Sequence, residues 1–404
     1  MILNKYFLIF IIYFKYSHAG VIENQNDYNK ISKRSVKKED QKSNILLNEI
    51  LDRKKRKVKG DKTYKWKFTI NYFVDNDVDI NIVKKALYEI QSNTCLKFLR
   101  RSQLYPRMSG IRFIRRETCY STVGKELEKI WQDISIANYC QNIGGVQHEL
   151  FHSLGVDHEH NRIDRDNFVT IIANQIKPIE LSFFRKVNNE DSNTLRVPYD
   201  YGSLMHYNVE ASSLYGKNTM VPRHKLYMRT VGQLKGANFN DIKTINLYYC
   251  DKQCANKIQC FHGGYQNPIN CRVCKCVEGF IGPYCNLLSI PSLTCGKSVY
   301  HAATFPSIIQ SSGIKRCIYH LITQKKSTIR INIEFVNTQD YNQLVCSPDD
   351  CLEVKYWADK TVTGARFCGV NKLISINSMD HHVIIYYKST NINSGFRLFF
   401  RKLR

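Results

Sequence analysis

The spacing of apolar residues changes several times along the chain, and each change marks a new element. In KFTINYFV, Phe68, Ile70 and Tyr72 alternate with polar neighbours, the pattern of a half-buried strand. In DINIVKKALYEI the period lengthens: Ile82, Val83, Ala86, Leu87 and Ile90 recur at helical spacing, which predicts a helix with one buried face. The short apolar runs CLKFLR and IRFIRR read as further strands, so a sheet with a helix packed on it is complete before residue 146. Beyond it, Val146, Leu150 and Leu154 again follow a helical period. Near the C-terminus, IRINIEF places Ile329, Ile331, Ile333 and Phe335 on one face, and FRLFF repeats the alternation over residues 396–400. Strands with no helical pattern between them predict an all-β sandwich. The fold class is therefore α+β for the first large domain and all-β for the last.

Composition adds a compartment. Lys5 precedes an apolar run from Tyr6 to Phe14, and Ser17 and Ala19 stand where a signal peptidase reads small residues. The run is far short of the roughly 20 residues a membrane-spanning helix needs, and no later stretch is apolar enough to span. A signal peptide over residues 1–19 and a secreted, extracellular protein are expected. The 15 cysteines agree, because an oxidising compartment lets disulfides persist. Their grouping implies one large domain stapled sparingly and two smaller modules: Cys95, Cys119, Cys140 and Cys250 are far apart, six lie between Cys254 and Cys285, and five between Cys295 and Cys368. The module with six has too little apolar material for a core of its own, so disulfides must hold it.

The net charge of +24 raises the question of nucleic acid. Part of the excess sits in residues 20–59, with 12 Lys or Arg against 6 Asp or Glu. Aromatic residues do not interleave with the cations as single-strand binding requires, so no nucleic-acid partner is expected. Residues 20–56 are polar and poor in aromatics, the composition of a segment that does not order alone. They end in RKKR, Arg53 to Arg56, a dibasic run of the kind secretory convertases cut. A propeptide over residues 20–56 follows.

The candidate chemistry lies in HELFHSLGVDH. His148 and His152 are four residues apart and share a helix face, while Val146, Leu150 and Leu154 sit about 200° away and can pack inward. Gly155 can take the left-handed conformation that ends a helix and turn His158 back toward the first two. Three neutral imidazoles leave a tetrahedral zinc one position for water. Glu149, next to the first ligand, can accept the proton of that water as it attacks a carbonyl carbon.

HELFHSLGVDHEHNRIDRD, His148 to Asp166, resembles the extended signature of the astacin family of zinc metalloproteases, within the metzincins. Glu159 and the Arg162, Asp164, Arg165, Asp166 run narrow the likeness, and PYDYGSLMHY, Pro198 to Tyr207, resembles the family's Met-turn. The resemblance implies a zincin fold over residues 57–250, a twisted sheet with an active-site helix. It implies one Zn2+ on His148, His152 and His158, and Glu149 and Tyr207 as catalytic residues. By the same likeness Met205 is an apolar base under the metal, and Tyr207 is an additional ligand that moves to the oxyanion. Glu159 meets the new N-terminus after leader removal, and the pairs are Cys95–Cys250 and Cys119–Cys140. The family's leader aspartate has no matching pattern in NILLNEILD, where Glu49 and Asp52 are the available carboxylates.

Residues 251–286 resemble an EGF-like module and residues 295–402 a CUB domain, on LEVKYWADKTVTGARFCG and GFRLFF. Cys295–Cys317 is the natural first pair. Cys368 takes either Cys346 or Cys351, and the cysteine left over is free or joined to another chain. The chain then reads as a secreted zinc endopeptidase made as a zymogen. Its substrates are extracellular proteins or peptides, and matrix or cell-surface partners meet the EGF-like and CUB modules. Arg223, Lys225 and Arg229 either favour an acidic residue after the scissile bond or lie on a solvated loop.

Overall fold

The computed structural model of the chain describes residues 58–59, 62–127, 130–187, 192–340 and 344–403. The expected signal peptide, the expected leader with Glu49 and Asp52, the RKKR run and Lys57 lie outside these residues. The first lobe is built on a sheet of β1 (Thr69–Val74), β2 (Lys97–Arg100), β3 (Gly110–Ile114) and β4 (Trp131–Ser135), in the order β2-β1-β3-β4 with every pairing parallel. Ile70, Tyr72 and Val74 point into the core, as the alternation requires. Phe68 does not: it precedes the paired stretch, and its side chain is 52% exposed.

Helix α1 (Ile80–Gln91) starts where Asp79 accepts hydrogen bonds from the amides of Asn81 and Ile82, and it buries Val83, Ala86, Leu87 and Ile90. A carboxylate at this position satisfies amides that have no partner within the helix. Helix α2 (Ile143–Ser153) begins with the Asn142 side chain accepting from the Gly145 amide. It joins the same core through Val146, Leu150, Phe151 and, just past its end, Leu154. A Cβ on Gly144 would stand 1.9 Å from the Leu234 carbonyl oxygen, so only glycine lets this helix approach the loop at 234. Helix α3 (Phe239–Tyr249) opens on a capping box between Asn238 and Asp241. Disulfides Cys95–Cys250 and Cys119–Cys140 close the lobe, the two pairs expected. Between α2 and α3 the chain is mostly irregular, with one ribbon pairing Val169–Ile171 to Met220–Pro222.

The C-terminal part is a sandwich. One sheet has β5 (Val299–His301), β7 (Lys315–Ile322), β12 (His382–Ser389), β9 (Cys351–Lys355) and β10 (Ala365–Phe367), in the order β5-β7-β12-β9-β10. The other has β6 (Ser307–Ser312), β13 (Gly395–Leu403), β8 (Thr328–Thr338) and β11 (Gly369–Asn377), in the order β6-β13-β8-β11. Ile329, Ile331 and Ile333 are buried together with Phe396, Leu398 and Phe400. Phe335 is not on that face. The pairing of β8 with β13 shifts register between Ile333 and Phe335, and such a bulge turns the following side chains over. Val336 is buried in its place, and Phe335 is 37% exposed.

Disulfides Cys295–Cys317 and Cys346–Cys368 staple the sandwich. Cys351 is the odd cysteine, free and buried, with its thiol pushed up to about 12 by burial. That position closes off a bond to another chain. The module between lobe and sandwich is held by Cys254–Cys271, Cys260–Cys274 and Cys276–Cys285.

That module meets the sandwich in an aromatic cluster. His262 stacks on Phe280 with ring centres 4.1 Å apart. The ring of Phe280 stands edge-on to both His320 and His382, and His320 Nδ1 lies 3.0 Å from His382 Nε2. Burial lowers the pKa of His320 to about 4; burial, aided by Lys360, lowers that of His382 to about 3. Below about 6.5 the unfolded chain therefore binds protons that the folded pair refuses. Stability should fall as pH drops from about 6.5 towards 4, read as a decrease in Tm. The double variant His320→Leu with His382→Leu should flatten that decline. An unchanged slope in the double variant would mean that acid attacks elsewhere.

Candidate active site

Helix α2 carries His148 and His152 on one face, with Glu149 beside the first. Leu154 caps the helix, and Gly155 follows at φ 94°. L-residues with side chains rarely adopt this backbone conformation. The turn returns the chain so that His158 Nε2 lies 3.3 Å from His148 Nε2 and 3.1 Å from His152 Nε2. The three ligand-type nitrogens all lie within 4.8 Å of one another.

The outer nitrogens define the tautomers. His148 Nδ1 donates to the Leu204 carbonyl at 2.9 Å, and His152 Nδ1 donates to the Val156 carbonyl at 2.9 Å. With the proton on Nδ1, each Nε2 presents a bare lone pair. Burial lowers the pKa of His148 to about 3 and that of His152 to about 4, and it drives His158 well below its ordinary value. Neighbouring imidazoles add to the effect at His148 and His158. The lone pairs of His148 and His152 Nε2 therefore both face the Nε2 of His158.

Glu149 is buried and its Oε2 has no hydrogen-bond partner. Desolvation raises its pKa to about 8. An unpartnered buried carboxylate oxygen costs on the order of 1–3 kcal/mol. A tetrahedral zinc with Zn–N near 2.0–2.1 Å sets its ligand nitrogens about 3.3–3.4 Å apart. The His158 distances fit that spacing, and the donor set of three imidazoles with one open position suits zinc.

Tyr207 completes the cluster. Its ring centre lies 4.4 Å from that of His158 and 4.2 Å from that of His160. Burial raises its pKa to about 12, with Glu149 and Asp157 adding to the rise. Met205 is fully buried, and its carbonyl accepts the Glu159 amide at 2.8 Å. The turn is thereby tied to the residue after His158. Glu159 Oε1 accepts from Arg162 Nη1 at 3.2 Å and from the Asp200 amide at 2.9 Å. Arg162 also grips Asp164 with two bonds of 2.8 Å, the bidentate geometry guanidinium favours. The run after the third histidine is thus a clamp for the loop.

Of the three cations in TMVPRHKLYMRT, two are engaged elsewhere. Arg229 donates to the Cys368 carbonyl and to Asp340 in the sandwich, and Arg223 Nε donates to the Asp166 carbonyl.

The chain is similar to known proteins in two ways. A family model described as Astacin, a peptidase family, matches residues 58–250, and a CUB domain model matches residues 292–400. Zinc metalloproteinase nas-29 of Caenorhabditis elegans is 30% identical over 396 residues, covering 90% of this chain and 73% of that protein. The chain belongs to the astacin family. Zinc metalloproteinase nas-34 of Caenorhabditis elegans is 34% identical over 339 residues, covering 83% of this chain and 55% of that protein. The chain spans about half the length of several such relatives, 55% of nas-34, 52% of nas-23 and 47% of nas-37. Among solved structures, high choriolytic enzyme 1, a hatching enzyme zinc-protease from Oryzias latipes (medaka fish), is similar at 32% identity. That match covers 48% of this chain and 93% of that one, with a TM-score of 0.41.

This astacin also uses residues that sequence reading passed over. Asp241 Oδ1 accepts from Ser203 Oγ at 2.6 Å and Oδ2 accepts from the Leu204 amide at 2.8 Å. Leu204 in turn supplies the carbonyl that orients His148. The signal was present in NFND, a polar residue followed three positions later by an acid. His206 bridges Tyr199 and the Tyr207 carbonyl, at 2.7 Å on both sides, and nothing in its spacing announces that role. His152→Ala should remove most of the zinc bound by purified wild-type chain, and Asp241→Ala should weaken zinc binding by loosening the His148 support about 10–100-fold. Metal analysis after dialysis against a graded chelator checks both.

Proposed function

We propose that this chain is a secreted zinc endopeptidase made as a zymogen, hydrolysing peptide bonds of extracellular proteins with Glu149 as general base. The observation that carries the proposal is the convergence of three neutral imidazole nitrogens beside a buried carboxylate oxygen with no partner. His148, His152 and His158 would hold the metal. A bound zinc supplies a Lewis acid and an acidified water.

The chain's own groups do the rest. Glu149 Oε2 takes a proton from the attacking water and delivers it to the leaving amine. Its raised pKa suits a group that must both accept and release a proton near neutrality. A neighbouring dication would oppose part of that rise. Tyr207 stays protonated over the same range, so its O–H can donate to the oxyanion that develops on the carbonyl. Leu204 orients His148 through its carbonyl, and Met205 lies buried in the same apolar core.

The proposed organisation is a signal peptide at 1–19, a propeptide at 20–56, a peptidase domain at 57–250, an EGF-like module at 251–286 and a CUB domain at 295–402. Processing at Arg53 to Arg56 would end just ahead of Val58, which is buried and pairs with Val156 and Asn193. No helix among the described residues is long and apolar enough to cross a membrane. Matrix or cell-surface proteins are the proposed partners of the two C-terminal modules.

The test uses the full chain cut after Arg56, assayed on a denatured protein. Activity should vanish with a chelator and return with zinc. Glu149→Gln should retain metal yet lose about 10²–10⁴-fold in kcat. Tyr207→Phe should lose about 10²–10³-fold in kcat, with KM little changed. Wild-type rates in Glu149→Gln would overturn the proposed role of the base.

A further inference from the structure

The sandwich does not trail behind the peptidase lobe; it packs on the segment beneath the histidines. Trp357, in the loop between β9 and β10, has its ring centre 5.9 Å from Tyr201, 5.5 Å from Tyr227, 6.3 Å from Phe168 and 5.0 Å from His224. Tyr201 and Tyr227 belong to one buried cluster with the sandwich core, and Phe168 and Trp357 pack against it half-buried. Polar contacts cross the same boundary. The Arg366 amide donates to Thr230 Oγ1 at 2.9 Å, and the Cys346 amide donates to the Arg229 carbonyl at 2.8 Å. A Cβ on Gly202 would stand 2.5 Å from Thr363 Cγ2, so the two domains touch where only glycine fits.

The contact that matters most is at Asp200, a fully buried carboxylate. Its Oδ2 accepts from Asn238 Nδ2 and Asn240 Nδ2, both at 3.0 Å. Its Oδ1 accepts from the Gly202 amide at 3.0 Å and from the Thr363 amide at 3.1 Å. Thr363 belongs to the sandwich, and its Oγ1 accepts from the same Asn238 amide group at 3.1 Å. A charge this deep needs each of its donors, and one of them comes from the second domain. From Asp200 the path inward is short. Its own amide donates to Glu159 Oε1, and the Glu159 amide donates to the Met205 carbonyl. Glu159 follows His158 directly, and Tyr207 closes the same turn.

We propose that the CUB domain is a built-in part of the peptidase centre, with Thr363 and Trp357 as positioning residues that fix segment 200–207 and, through it, His158 and Tyr207. Neither residue touches substrate in this account; both act through Asp200 and the aromatic floor. The inference rests on the proposed peptidase function for its kinetic readout alone.

The test uses the full, processed chain in four forms beside wild type. Thr363→Pro removes the amide donor, because proline has none. Trp357→Ala removes the ring, and Trp357→Phe keeps most of it. Leu373→Asn, on β11 in the other sheet and 86% exposed, is the control. Hydrogen exchange of amides in residues 198–209 is read first, since it requires neither metal nor activity. It should speed up by about tenfold in Thr363→Pro and Trp357→Ala, with Trp357→Phe close to wild type and the control unchanged. On a short peptide, kcat should drop by about tenfold while KM stays within about twofold.

Wild-type exchange and kcat in folded Trp357→Ala would overturn the proposal, and so would a change confined to KM, which would instead mark the CUB domain as a substrate-binding surface. If Thr363→Pro does not fold, the two tryptophan variants decide the matter. An inactive wild type would sink the proposed function and leave the exchange result to judge the positioning role by itself.

Discussion

Three neutral imidazoles with converging nitrogens and one carboxylate oxygen without a hydrogen bond share a desolvated floor, and much of the surrounding structure is arranged to hold them there. Left alone, such groups would protonate, turn outward or draw in water. They are kept in place from behind. Carbonyls of Leu204 and Val156 hold the Nδ1 protons of His148 and His152, and Asp241 holds Leu204. The cap of α3 therefore orients a histidine on α2 through one intervening residue. Oriented rings bring their Nε2 atoms together in a geometry set by the protein's own hydrogen bonds.

The same economy runs through the loop after the third histidine. Arg162 joins Glu159, Asp164 and the Val197 carbonyl, while Arg165 joins Asp166 and the carbonyls of His160 and Phe184. Neither guanidinium bonds directly to His148, His152 or His158; both hold the irregular backbone on which His158 and Tyr207 depend. A segment with so little regular structure has few backbone hydrogen bonds of its own, so side chains must supply them. Asp200 extends the arrangement across the domain boundary, where the sandwich provides a donor and an aromatic cover.

How much of this was readable from the chain differs by element. The period of α1 and the alternation of β1 from Ile70 onward were legible, because one face of each is buried and one is wet. Phe335 misled, because a bulge is a property of pairing and leaves no mark in the spacing of one strand. Cys346 and Cys351 are equally plausible partners for Cys368 on sequence alone, and only the packing of β9 decides for Cys346. The free thiol and the two-histidine contact of His320 with His382 were likewise silent, since their partners come from different strands.

What the sequence determined by itself was local: two histidines on one helical face, a glutamate beside the first, a glycine able to end the helix, and a third histidine within reach. These follow from helical geometry and from the conformations each residue type allows, which need no knowledge of the rest of the chain. Only the tertiary structure decided which carbonyls orient the rings, which carboxylates brace the turn and which domain covers Asp200. Those contacts join residues up to 163 positions apart, as Asp200 and Thr363 are. Side-chain spacing along a chain carries no information about partners that distant until the sheets and helices have packed.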